Sequence, residues 1–412
     1  MLVGMAGASL LASCNTSRFE APERLGPPSL ILHENEPRLW LLVKQEEARL
    51  RTIGFGRRTS GTIIRETFYH FDLQAHDTHT TGRLWKTRLL TVKDKEGGHS
   101  AEARILGQDG NIVWLFLHDQ PVAVASNGGT KLADRALLEQ RNPALRGLVP
   151  KEPKFYAFDQ GLVITTADSR RYKVRSTDFA AEPYQPASEE QFSRQQFMAT
   201  QWNGGYGTGD FLTQQGRLNG RWLGLYTEKE AADAGDDGFG EKLANSSNVL
   251  RESTGARRTF WTARIGQTKE FSEGTHDRLF DVTRVPEAPD FLDGGLLVRQ
   301  GSRQPLALEE PSGLLVLHRT RLDEEGRAAL TRLDDSLHEK WTAKMPFIDL
   351  RNRFEFPDRL LMYGIVQLTE KGVTGSQECI AVLDLRDGRT QAWNVTLDRS
   401  IPAAELEQVA RQ

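Results

Sequence analysis

Eight short apolar runs, each closed by turn-forming residues, constrain this chain more than any other feature. They are Leu39–Val43, Thr62–Leu73, Ile112–Leu117, Leu162–Thr166, Gly294–Val298, Gly313–His318, Leu360–Val366 and Ile380–Leu385. Most are rich in β-forming residues and bounded by Gly, Asp or Asn, so they read as strands. Helix signals are few. Lys131–Arg141 stops at Asn142-Pro143, Ser188-Glu189-Glu190-Gln191 fits a capping box opening a helix to about Met198, and Pro402 precedes Ala403–Arg411. A parallel α/β fold needs a helix between nearly every pair of strands. The expectation is therefore an all-β protein with short helical insertions.

The eight tryptophans add a finer pattern. Several follow a turn, most clearly in Asp77-Thr78-His79-Thr80-Thr81-Gly82-Arg83-Leu84-Trp85 and Asp384-Leu385-Arg386-Asp387-Gly388-Arg389-Thr390-Gln391-Ala392-Trp393. Looser copies end at Trp114, Trp261 and Trp341. Four residues beyond Trp85, Trp261, Trp341 and Trp393 stand Leu89, Ile265, Met345 and Leu397. Leu, Ile and Met together are about one residue in six, so chance gives about one such case in eight. Residues i and i+4 share a strand face, which places each indole beside an aliphatic side chain in the core. The unit of strand, Asp/Gly turn and Trp-bearing strand resembles the tryptophan-docking repeat of PQQ-type β-propellers, Asp-x-x-Thr-Gly followed shortly by Trp. The two best copies depart from the usual spacing by one residue. The resemblance implies seven or eight four-stranded blades over residues 31–400, at about 40–50 residues per blade.

The N-terminus suggests a location. Met1 to Ser13 is uncharged, apolar or small, and too short to span a bilayer as a helix. Leu11-Ala12-Ser13-Cys14 resembles the lipobox of bacterial lipoproteins, which implies a signal peptide over residues 1–13 and lipidation of Cys14. No Lys or Arg precedes the apolar stretch, a departure from the usual signal. Asn15, where Asp would favour inner-membrane retention, points to the outer membrane. Residues 14–30, with Pro22, Gly26, Pro27 and Pro28, read as a Pro-rich tether, and residues 401–412 as a short helical tail. A propeller lipoprotein of this length resembles, in architecture, the outer-membrane assembly scaffold family. That likeness implies a non-catalytic scaffold facing the periplasm and binding a partner protein.

Chemistry-bearing motifs are sparse. Acidic residues number 56 and basic ones 53, a balance that excludes a strongly basic nucleic-acid binder. Two cysteines cannot build a disulfide scaffold or a structural zinc site, and no Cys-Cys pair of the kind found in quinoprotein dehydrogenases occurs, so no cofactor is expected. Cys379 lies in a strand-like run and reads as a buried, inert thiol. The densest potential metal ligands are His70, Asp72, His76, Asp77 and His79, but their position in a strand and turn reads as solvated. The Gly204–Asp210 segment lacks the Gly-Lys-Ser/Thr ending of a phosphate loop, and Asp233, Asp236, Asp237 and Glu241 lack the spacing of a calcium loop. No nucleophile-elbow or His-Glu-x-x-His motif is present. The helical insertions at 131–141 and 188–198 are candidate contact elements. The expected function is a partner-binding lipoprotein; the alternatives are a small-ligand receptor or enzyme with a site in the propeller channel, and an immunity-type lipoprotein.

Overall fold

The computed structural model describes residues 16–53, 62–201, 211–218, 220–236, 243–245, 254–270, 274–299, 304–309, 312–323, 326–370 and 373–409. The protein is all-β, built from several antiparallel sheets with short helical elements. All eight apolar runs fall on strands, three of them (162–166, 294–298 and 380–385) running one residue past the strand end. Several strands are longer than the runs that announce them: Glu36–Ile53, Thr62–Asp77, Arg359–Glu370 and Val373–Asp384. Polar ends extend the pairing beyond the apolar centre, which the run lengths do not reveal.

The chain divides into two units, one of residues 1–75 and 84–201, the other of residues 76–83 and 202–412. In the first, a five-stranded sheet built on Glu36–Ile53, Thr62–Asp77 and Arg83–Lys93 is followed by two four-stranded meanders. These run from Glu102–Asp109 to Lys131–Ala133 and from Tyr156–Phe158 to Ala181–Pro183. The strand Ile112–His118 explains its unbroken apolar sequence. Val113, Leu115 and Leu117 pack with Trp40, Phe71 and Leu73 of the first sheet, while Trp114 and Phe116 pack with Tyr156, Leu162 and Ile164 of the third. A strand buried on both faces has no reason to alternate with polar residues.

The second unit contains an eleven-stranded assembly, its main path running from Gln215–Leu218 to the edge strand Glu339–Lys344, and a five-stranded sheet from Phe347–Glu355 to Arg399–Ile401. Leu315, Leu317, Leu330 and Ala343 of the assembly share one core with Leu360, Met362, Ala381 and Leu383 of the five-stranded sheet. Cys379 is fully buried in that core, as its strand context implies.

Three expectations need correction or refinement. Residues 23–30 are not a tether: Glu23–His33 is a strand paired with Glu36–Ile53, and its register shifts between Leu25 and Ser29. That irregularity takes up Pro27 and Pro28, which lack amide hydrogens for a ladder, and Gly26, whose φ of +66° lies in the left-handed region. The insertion helices are anchored elements. Arg135–Arg141, N-capped by Asp134, buries Leu138, and Glu189–Gln201, with Ser188 Oγ accepting from the Gln191 amide, buries Phe192 among Ala157 and Val163. A further helix, Glu228–Asp236, occupies what reads as an acidic loop. Thr227 and Glu230 close a reciprocal capping box at its start, at 2.8 and 3.1 Å.

The two-sided burial of Ile112–His118 is testable. Leu115→Ala and Phe116→Ala face opposite cores, so each is expected to cost about 2–5 kcal/mol in urea unfolding. A loss under about 0.5 kcal/mol for either would mean that one face is open to solvent.

Candidate functional site

Four six-residue turns share one geometry: Asp77–Gly82, Ala125–Thr130, Arg175–Ala180 and Asp384–Arg389. In each, the first amide donates to the sixth carbonyl at 2.9–3.0 Å, and the fifth amide donates to the first carbonyl at 2.9–3.0 Å. The fifth residue is left-handed throughout: Thr81 (φ +61°), Gly129 (+68°), Phe179 (+59°) and Gly388 (+75°). Glycine adopts this conformation without a Cβ penalty; Thr81 and Phe179 do so only because surrounding structure holds them.

Three of these turns receive an indole, and a fourth indole stands beside the remaining one. A methyl on Gly129 would lie 2.8 Å from the Trp85 ring. Trp114 Nε1 donates to Ser176 Oγ at 3.1 Å and stands edge-on to Phe179. Trp341 Nε1 donates to the Leu385 carbonyl at 3.2 Å, and its ring lies so close to Gly388 that a methyl there would be 2.9 Å away. Trp393 stands edge-on to His76 at 5.9 Å, beside the first turn. Trp261 differs: its Nε1 donates to the Tyr226 carbonyl within a cluster around Trp222. Three of the i, i+4 aliphatic partners, Leu89, Ile265 and Met345, share a core with their tryptophans, whereas Leu397 lies in a turn beyond its strand.

His70 and His76 are placed differently from the solvated reading, whereas His79 keeps to it. His70, Asp72, Gln74 and His76 alternate along Thr62–Asp77 and are all buried, opposite the apolar face of Tyr69, Phe71, Leu73 and Ala75. His70 Nε2 donates to Glu47 Oε2 at 2.7 Å, and its Nδ1 meets Thr91 Oγ1 at 3.0 Å. Arg49 grips the same carboxylate at 2.7 and 2.8 Å. That bond first, then those from His70 and Ser17, hold Glu47 down at about 2 against the opposing effect of burial. Burial pushes Asp72 up, but Arg88 at 2.8 Å and Lys86 at 3.1 Å outweigh it and keep the carboxyl below its usual range. His76 Nδ1 donates to the Thr81 carbonyl at 3.0 Å, while burial lowers its pKa to about 4. His79 is exposed on the turn, and Asp77 Oδ1 accepts from its amide at 2.9 Å. The three histidines thus meet three different surroundings, and no group of three or more candidate metal ligands converges among the described residues. Burial likewise raises the Cys379 thiol well above its ordinary value, leaving it protonated.

A cleft of about 780 Å³ lies in the second unit, between the end of Glu339–Lys344, the Asp384–Arg389 turn, the His79-Thr80 tip and the helix Ala403–Val409. Its charged lining is Lys344, Arg359, Arg386 and Arg389 against Asp358 and Asp384. Arg359 is buried at one side, where it donates to the Thr78 carbonyl at 2.9 Å, to Thr78 Oγ1 at 3.0 Å and to Asp358 at 2.6 Å. Arg386 holds Asp384 below the usual carboxylate range. These groups come from positions far apart in the chain, which conceals the cleft from sequence reading. Its chemistry is that of anion recognition, since the lining presents fixed cations and hydroxyls.

The lipidation candidate Cys14 and residues 1–13 lie outside the described residues, as do Gly204–Asp210, Asp237 and Glu241; Asp233 sits on the helix Glu228–Asp236. Compared with known proteins, the chain matches no family model and no curated sequence.

Two measurements follow from this geometry. Gly388→Ala adds a methyl against Trp341 at a left-handed position, and is expected to lower stability by about 1–3 kcal/mol in denaturant unfolding. The unfolded chain protonates His76 near 6.5 and the folded chain near 4, so this residue's contribution is present above about 6.5 and lost as pH falls to about 4. His76→Gln should flatten the stability profile across that window, where the parent protein declines by about 2–3 kcal/mol from this group.

Proposed function

We propose that this chain is a tryptophan-docked β-propeller carried as a lipoprotein on the bacterial outer membrane, facing the periplasm, where it binds a partner protein and performs no chemistry of its own. The observation that carries the reading is the indole-on-turn contact, made at three turns of one geometry with a fourth indole beside another such turn, and combined with four-stranded antiparallel meanders. Consecutive sheets buried face to face are what radially stacked blades require. The Leu11–Cys14 sequence supports lipid anchoring: acyl chains on Cys14 contribute about 0.8 kcal/mol per buried CH₂. Among the described residues no helix is long and apolar enough to cross a membrane. Loops held by a rigid all-β frame suit protein recognition, and near-balanced surface charge gives specificity through local complementarity.

A small-ligand receptor is the second reading, favoured by the 780 Å³ cleft, whose size falls within the range of ordinary ligand sites.

Expression with labelled palmitate tests the anchor, and capture from detergent-solubilised envelopes tests the partner. The expected results are label on the parent protein, none on Cys14→Ser, and stoichiometric co-purification of a specific envelope protein. Label persisting on Cys14→Ser would remove the lipoprotein assignment. Capture of no protein, together with saturable binding of a metabolite, would transfer the function to the receptor reading.

A further inference from the structure

We propose that the cleft binds an acidic, extended peptide segment of the partner, an inference that rests on the protein-binding reading and names the chemistry of what is bound. The first argument is charge. Four cationic side chains meet three carboxylates, Asp358 and Asp384 of the lining and Asp387 paired with Arg389, so the cleft keeps a net positive charge inside a chain whose overall balance is −3.

Donor capacity is the second argument. Lys344 is exposed at the end of the edge strand and makes no ion pair among the described residues. Arg386 commits Nε and Nη2 to Asp384, and Arg389 commits Nε to Asp387, so the remaining N–H groups of both guanidinium forks have no protein partner among the described residues. Their side chains are 69% and 79% exposed. Asp384 and Asp387 thereby orient the forks without neutralising every donor, an arrangement suited to receiving carboxylates.

Size selects a chain over a single anion, because a cleft of about 780 Å³ falls in the range that takes a ligand of several residues, not one phosphate. Lys344 stands at the end of the strand Glu339–Lys344, whereas Arg386 and Arg389 stand on the Asp384–Arg389 turn, so the cations come from two elements. An extended peptide rises about 3.3 Å per residue, so carboxylates three positions apart stand about 10 Å apart and can address both. Val382, Pro346 and Leu406 supply an apolar floor for aliphatic side chains between them. Among the described residues the lining offers no Trp, Tyr or Phe face on which a nucleobase could stack, and its one ring is the His79 imidazole.

The test uses the full-length protein and a fluorescein-labelled octapeptide bearing two glutamates three positions apart around an alanine–leucine pair, read by anisotropy. Saturable binding is expected, weakening as salt rises. Replacing both glutamates by glutamine should weaken it at least tenfold. Lys344→Glu and Arg389→Glu should each weaken it about tenfold, Ala403→Trp should block it by filling the rim, and Lys340→Glu, outside the cleft, should leave it unchanged. A lysine version of the peptide should regain affinity for the Lys344→Glu/Arg389→Glu double variant, which shows that the loss is electrostatic and not misfolding. The proposal is overturned if the glutamine peptide binds equally, if the double variant binds the glutamate peptide as the parent does, or if nothing binds. Displacement by millimolar inorganic phosphate with the same variant dependence would reassign the cleft to a single small anion. Envelope-protein capture that survives loss of peptide binding would overturn only the cleft assignment, whereas loss of capture by the parent protein would overturn the scaffold reading itself.

Discussion

The contact between an indole and the left-handed fifth residue of a six-residue turn is the constraint on which much of this structure depends. A tight turn that returns its first carbonyl to its fifth amide leaves no room for a large side chain pointing inward unless neighbouring structure accepts it. At Gly129 and Gly388 the empty Cβ position is what lets the ring approach. At Phe179 the turn residue itself supplies an aromatic surface, and Trp114 meets it edge-on while hydrogen-bonding Ser176. At Trp114 and Trp341 the indole nitrogen is also hydrogen-bonded, so these rings are worth more than their area alone, because their orientation fixes how one hairpin lies against the turn it meets. The face-to-face cores containing Val113, Phe116 and Leu360 supply the bulk of the apolar burial. The docked rings give it direction.

The strands were the most legible part of the chain, for a physical reason. Runs such as Ile112–Leu117 are apolar throughout because both faces are covered, and that leaves an unmistakable signal. What escaped has equally specific causes. Pro27 and Pro28 speak against a strand only if the ladder is regular, and here it shifts register at that point. The helix Glu228–Asp236 has a readable start in Thr227 and Glu230, but its acidic residues masked it as a solvated loop. Tryptophans were visible beside the turns that precede them, whereas the turns they dock on lie tens of residues away and include Phe179 in place of glycine. The cleft was invisible because Lys344, Arg359 and Arg389 converge only after the sheets have packed.

Thr62–Asp77 illustrates a different balance. One face is apolar core, and the other buries His70, Asp72, Gln74 and His76. Burying charge is costly unless it is paired and hydrogen-bonded. Glu47 is held by Arg49 and His70, and Asp72 by Arg88 and Lys86, so these charged groups carry partners that partly face solvent. His76 takes the other solution and remains neutral, donating to a carbonyl of its own turn. Such a polar face specifies register strongly, because a one-residue slip would place Phe71 and Leu73 among carboxylates.

The discontinuous second unit bears on how the protein is made. Residues 76–83 leave the ribosome long before the rest of their unit, which starts at residue 202. The first unit can close soon after residue 201 emerges, whereas Arg359 must find Thr78 across 281 positions, among the last contacts available to a vectorially synthesised chain. Late completion keeps the nascent chain unlocked while it is still being delivered. It also makes the order of synthesis matter, because Thr78 waits through the whole of residues 84–201 before the elements that hold its partner Arg359 are made.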